Sequence, residues 1–85
     1  MTIRSPAHAA FGQAIRAIRS RRGVSQESLA LQCGLDRTYI SGIERGTRNP
    51  SLTNILKLAA ALDVHPGELF AGMHNDPSSP EEDSR

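Results

Sequence analysis

The chain contains no tryptophan, one tyrosine, two phenylalanines and a single cysteine among its 85 residues. One cysteine, Cys33, excludes an internal disulfide, and with no second thiol beside it there is no zinc-binding spacing. A small buried hydrophobe suits its place just before a turn. The histidines, His8, His65 and His74, are scattered over three separate stretches, so no metal or other cofactor is expected. Ser25, Ser28 and Ser41 have no histidine at a supportive spacing, and no glycine-rich phosphate loop is present. The sequence offers no catalytic constellation, and an enzyme is not expected. No apolar run approaches the roughly 20 residues of a membrane span, and the opening residues lack a signal-peptide pattern. The expected setting is cytoplasmic, without a membrane partner.

What is present is an asymmetry of charge beneath a net value of +1. Residues 1–50 carry Arg4, Arg16, Arg19, Arg21, Arg22, Arg37, Arg45 and Arg48 against Glu27, Asp36 and Glu44, a balance of +5. Residues 51–85 carry Lys57 and Arg85 against Asp63, Glu68, Asp76, Glu81, Glu82 and Asp83, a balance of −4. A basic front and an acidic back suit a polyanion bound in one orientation, although solvated surface accounts for such charges equally well. Residues 74–85, HNDPSSPEEDSR, are polar, acidic and proline-punctuated. They cannot bury enough apolar area to offset the entropy of ordering, so a disordered acidic tail is expected. The remaining 1–73 form one domain, near the lower size limit for a core without metal or disulfide.

Helix signals recur along that domain. Ser5 then Pro6 places an N-cap before a proline at the first helical position. Phe11, Ala14, Ile15 and Ile18 follow at helical spacing until Gly23. Ser25 and Asp36 are the next caps, with Val24/Leu29 and Leu35/Ile40 spaced as hydrophobic staples. Ser51 after Pro50 opens a fourth helix whose stripe reads Leu52, Ile55, Leu56, Ala59 and Leu62. His65-Pro66, with Glu68 placed to reach back to the cap, opens a fifth. Sustained period-two alternation is missing. The expected fold is all-α, five helices at about 6–22, 26–33, 37–45, 52–62 and 66–72.

The segment from Ser25 to Asn49 carries the functional signal. Two short amphipathic helices flank a tight glycine-containing turn, the pattern of a helix-turn-helix that lays its second helix in a major groove. On that second helix Ile40 and Ile43 share a core-facing side, while Arg37, Thr38, Ser41 and Arg45 fall opposite. Arg37 has the fork for guanine O6 and N7, and Thr38 offers a hydroxyl and a methyl. Tyr39 falls at the boundary between core and groove. Gly42 contributes no side-chain readout and costs helix stability relative to alanine. Its lack of bulk allows close approach, either to DNA or to helix 2.

Residues from about Phe11 to Phe70 resemble the Cro/C1-type helix-turn-helix domain of lambda-repressor-like regulators. The segments LDRTYISGIERGTRNPSL and ALDVHPGELF are the most specific. The run from Asp36 to Arg45 is most similar to the controller proteins of restriction-modification systems. The resemblance implies a five-helix DNA-binding domain and roles for particular residues. Arg37 and Thr38 match base-reading positions, with Tyr39 also able to reach the operator and Ser41 on the same face. Gln26 matches a phosphate-contacting glutamine that steadies the recognition helix. Arg48 and Asn49 match backbone-contacting positions, joined by Arg45. Arg19 and Glu44 match an ion pair locking helix 1 to the end of helix 3. Gly42 departs from the family, replacing a longer polar base-reading side chain, and this narrows direct readout in favour of DNA shape.

One such domain offers too few base contacts for operator specificity, so two copies reading half-sites about one helical turn (~34 Å) apart are expected. Leu56, Leu62, Val64, Leu69, Phe70 and Met73 are many apolar groups for so small a domain. The neighbourhood of Leu69 and Phe70 is the expected two-fold interface. The expected function is a homodimeric, sequence-specific transcriptional regulator on a pseudo-palindromic double-stranded DNA operator, nucleoid-associated and without a small-molecule ligand. The alternatives are an antitoxin-type protein-interaction module, for which only the acidic tail speaks, and a phage-type repressor.

Overall fold

The computed structural model describes residues 5–73, all of whose regular elements are helical. The four α-helices are α1 (Pro6–Arg21), α2 (Gln26–Cys33), α3 (Arg37–Arg45) and α4 (Leu52–Leu62). The expected acidic tail lies outside the described residues.

Each α-helix opens on a short polar side chain that satisfies an otherwise orphaned backbone amide. Ser5 accepts from the amide of His8, Ser25 from Ser28, Asp36 from Thr38 and Ser51 from Asn54. The turn between α2 and α3 closes on Gly34, at φ 69°. This left-handed conformation is accessible to glycine without a Cβ clash. It lets the amides of Gly34 and Leu35 return to the carbonyls of Leu31 and Ala30.

The fifth element corrects the expected fold. Residues 66–72 do not form a fifth α-helix; Pro66–Phe70 is a single 3-10 segment. His65 and Glu68 form a reciprocal capping box there, so the start signal is genuine. Propagation fails because Gly67 and Gly72 bracket too few residues to repay nucleation, and the bonds that form join residues three apart, such as Glu68 to His65.

The core is contiguous and draws on every element. Phe11, Ile15 and Ile18 meet Leu29, Ala30 and Cys33, then Ile40 and Ile43, then Leu58, Ala59 and Leu62, and Leu69 closes the base. Two expectations change here. Leu69 is fully buried in its own subunit and so is not available to a dimer interface. The buried stripe of α4 runs through Leu58, Ala59 and Leu62, whereas Leu52 and Leu56 are 71% and 48% exposed. A helix apolar on most sides fits more than one stripe at helical spacing, and only the partner surfaces decide between them.

Gly12 explains how α1 and α3 approach so closely. A Cβ there would stand 2.2 Å from the Ile43 carbonyl oxygen and 2.7 Å from that of Glu44. The mid-helix glycine is therefore a packing requirement, and it sets the depth at which α3 sits on the core.

Candidate nucleic-acid interface

Helix α3 is seated by Ile40 and Ile43, which are 0% and 1% exposed, and this fixes which residues face outward. Arg37 and Thr38 are exposed at its first turn, Arg45 is exposed at its end, and Ser41 is half-buried between them. Arg45 donates to the Ser41 hydroxyl one turn back. Arg48 and Asn49 extend the exposed surface into the following loop. The helix N-terminus adds its own partial positive charge to this arginine-rich rim.

Asp36 organises the first turn. Its Oδ1 accepts from both the amide and the hydroxyl of Thr38, each at 2.9 Å. Those bonds, backbone first, together with the charge of Arg48, hold the Asp36 carboxyl below its ordinary range despite full exposure. The Thr38 hydroxyl proton is thereby committed, leaving lone pairs and a methyl group to face outward.

Behind the surface, Glu44 gathers three donors. Arg19 Nε reaches Oε2 at 2.7 Å and Arg19 Nη2 reaches Oε1 at 3.1 Å. Gln26 Nε2 reaches Oε1 at 2.9 Å. The Arg19 and Glu44 side chains are only 15% and 4% exposed, and Arg19 Nη1 also donates to the Val24 carbonyl. The hydrogen bond to Glu44 holds the Arg19 guanidinium further above its ordinary value. Helices α1, α2 and α3 thus meet at one carboxylate. Gln26 spends one amide proton there and keeps the other for an anion.

Tyr39 is half-buried, and its hydroxyl accepts from Asn54 Nδ2 at 3.1 Å. Over its ring lies the guanidinium of Arg48, 5.7 Å from the centroid, within cation–π range. The stem of Arg48 crosses Gly42, where a Cβ would stand 2.6 Å from Arg48 Cγ and 3.2 Å from Nε. The open side of Gly42 therefore faces neither helix 2 nor empty space; Arg48 fills it.

Asn54, Gly12 and the Arg48–Gly42 contact were not singled out by sequence reasoning. A glycine in mid-helix was the available signal for Gly12; nothing in the spacing marks Asn54 as the partner of Tyr39. Cys33, by contrast, is buried as expected, with its thiol 3.7 Å from the Lys57 carbonyl oxygen. Burial raises its pKa above the ordinary thiol value.

Two short helices joined by a glycine turn, the second presenting a polar face from a buried seat, define a helix-turn-helix protein. A helix-turn-helix family profile matches residues 15–69, and the chain belongs to that family. It is 60% identical over 61 residues to control protein C.BamHI of Bacillus amyloliquefaciens, covering 71% of this chain and 75% of that one. It is 43% identical over 67 residues to control protein C.MunI of a Mycoplasma species, covering 78% and 90% respectively. The crystal structure of the restriction-modification controller protein C.AhdI from Aeromonas hydrophila superposes with a TM-score of 0.73 at 59% identity, over 74% of this chain and 96% of that one.

Proposed function

We propose that the protein is a sequence-specific DNA-binding transcriptional regulator, acting as a homodimer on a pseudo-palindromic operator in the manner of a restriction-modification controller. The observation that carries this reading is the outward face of α3. Arg37 and Thr38 stand exposed on a helix that the core grips at Ile40 and Ile43. A rigid, polar, basic helix face is what base-edge readout in a major groove requires. The relatives named as control proteins support the same conclusion.

In this reading Arg37 pairs with guanine through its fork, Thr38 offers its methyl to thymine and lone pairs to a base donor, and Ser41 and Tyr39 border them. Gln26, Arg45, Arg48 and Asn49 contact the phosphate backbone, and the electropositive start of α3 adds to their attraction. Arg19 and Glu44 do not touch DNA; they set the angle between α1 and the recognition unit.

The dimer face moves from the expected Leu69 to the surface of α4. Leu52 and Leu56 are one turn apart on one side of that helix and both exposed; Phe70, 39% exposed with its ring against Phe11, is a secondary contributor. Covering such a stripe with its symmetry mate would align two recognition helices on one side of a duplex. No helix among the described residues is long and apolar enough to cross a membrane.

Selection of binding sites from random duplexes, followed by a salt titration, tests the proposal. A pseudo-palindrome with half-sites about 34 Å apart is expected, and log affinity should fall steeply with log salt. Absence of any enriched sequence, or co-purification with a stoichiometric protein partner and no duplex preference, would overturn it.

A further inference from the structure

A glycine in the middle of a recognition helix looks like a gap in the reading surface, and in this structure another residue occupies the gap. Arg48, three residues beyond the end of α3, folds back so that its stem lies across Gly42 and its guanidinium lies over Tyr39. Thr47 holds the chain in place for this return. Its amide and hydroxyl both donate to the Gly42 carbonyl, at 2.9 and 3.1 Å. The Tyr39 ring is itself tied down by Asn54. Arg48 also lies close enough to Asp36 for its charge to depress that carboxyl.

We propose that Gly42 is a positioning residue for DNA binding: the missing side chain forms a seat that holds the Arg48 guanidinium against the recognition helix before DNA arrives. The inference rests on the DNA-binding reading above and goes beyond it by assigning a role to a residue with no side chain.

The physical argument is one of pre-organisation. A free arginine in a loop samples many rotamers, and ordering it on binding costs about 2 kcal/mol of side-chain entropy. A stem packed in a slot and a guanidinium resting on an aromatic face have already lost most of that freedom, so less is lost when the phosphate is met. Any Cβ at position 42 closes the slot. The atoms it would meet belong to the flexible Arg48 side chain rather than to backbone, so the seat empties while the helix survives.

Gly42 and Gly12 are therefore opposite cases. At Gly12 a Cβ meets carbonyl oxygens of α3, and the fold must shift. At Gly42 an alanine removes the intrinsic penalty of a helical glycine and should raise the melting temperature by about 4–8 °C.

The test compares wild type, Gly42→Ala, Arg48→Ala and the double variant on a duplex selected by the wild type. Gly42→Ala is expected to fold at least as stably as wild type, yet to bind about tenfold more weakly, the scale of one charge-assisted hydrogen bond. In the Arg48→Ala background the same change should cost nothing further, because the two residues act as one unit. Additive losses, or undiminished binding by Gly42→Ala, would overturn the proposal.

A second arm needs no DNA. The Arg48 Nε–H resonance of the free protein should be displaced by the Tyr39 ring current in wild type and return to the position of a solvated arginine in Gly42→Ala. Identical shifts in the two proteins would also overturn the seat. Wild-type selection of a duplex tests the regulator reading, and these comparisons test the seat.

Discussion

A residue on α3 matters according to what its neighbours leave it free to do. Arg37 is exposed at the first helical position, with the geometry for a bidentate base contact. Arg37→Ala should weaken operator binding by about 1–3 kcal/mol and relax the preference at one base position, leaving binding to random duplex little changed. Competition titrations with single-base operator variants would check it, and equal losses on operator and random DNA would remove Arg37 from base reading. Thr38 is more constrained than its sequence position suggests. Because its hydroxyl proton is directed to Asp36, Thr38→Val should retain any methyl contact and lose one cap bond and one outward acceptor. Tyr39 was placed by helical angle at a boundary. The boundary proves to be built, with the ring half-buried, its hydroxyl toward Asn54 and its face under Arg48.

Between elements, the relevant quantities are cap chemistry and closeness of approach. The Asp36 carboxylate is stabilised in the folded state, so its folded pKa is depressed. Its contribution to stability is complete above the unfolded value of about 3.9 and is lost as pH falls through the lower folded value. Asp36→Asn keeps a capping oxygen but cannot titrate. Its urea midpoint should fall less than that of wild type between about pH 5 and pH 2, and a parallel decline would refute the linkage. Gly12 marks the α1–α3 crossing. Gly12→Ala places a methyl group against the carbonyls of Ile43 and Glu44; it should cost about 1–3 kcal/mol through backbone displacement, read from urea unfolding. A stability equal to wild type would mean that the helices can part without loss.

At the scale of the whole molecule, three helices converge on Glu44 and one helix face is left uncovered. Glu44→Ala strands Arg19 with its side chain largely buried. The expected cost is about 2–4 kcal/mol, below the upper end for fully buried pairs because Arg19 keeps an exposed edge. Chemical denaturation would measure it, and a loss within a few tenths of a kcal/mol would show that the pair is dispensable. The uncovered face is that of Leu52 and Leu56 on α4. Leu56→Asp should leave the monomer fold intact by circular dichroism, shift sedimentation from dimer to monomer, and weaken operator binding roughly a hundredfold or more through loss of bivalency. A variant that remains dimeric would place the two-fold contact elsewhere.

The sequence by itself determined where helices begin and end, because caps, staples and glycine stops act between residues at most five apart. Ser5, Ser25, Asp36, Ser51 and His65 are all legible as caps, and each caps an element. The outward residues of α3 were equally legible, since Ile40 and Ile43 fix the helix's rotation. Only the tertiary structure decided three further matters. It chose Leu58 over Leu52 and Leu56 for burial, because a helix apolar on most sides takes its orientation from the surfaces it meets. It enclosed Leu69 and left the fifth element a 3-10 segment, because five residues between glycines gain more from sealing the core than from a further helical turn. And it filled Gly42 with Arg48, a contact made through the turn after α3, where helical periodicity no longer says which side chains meet.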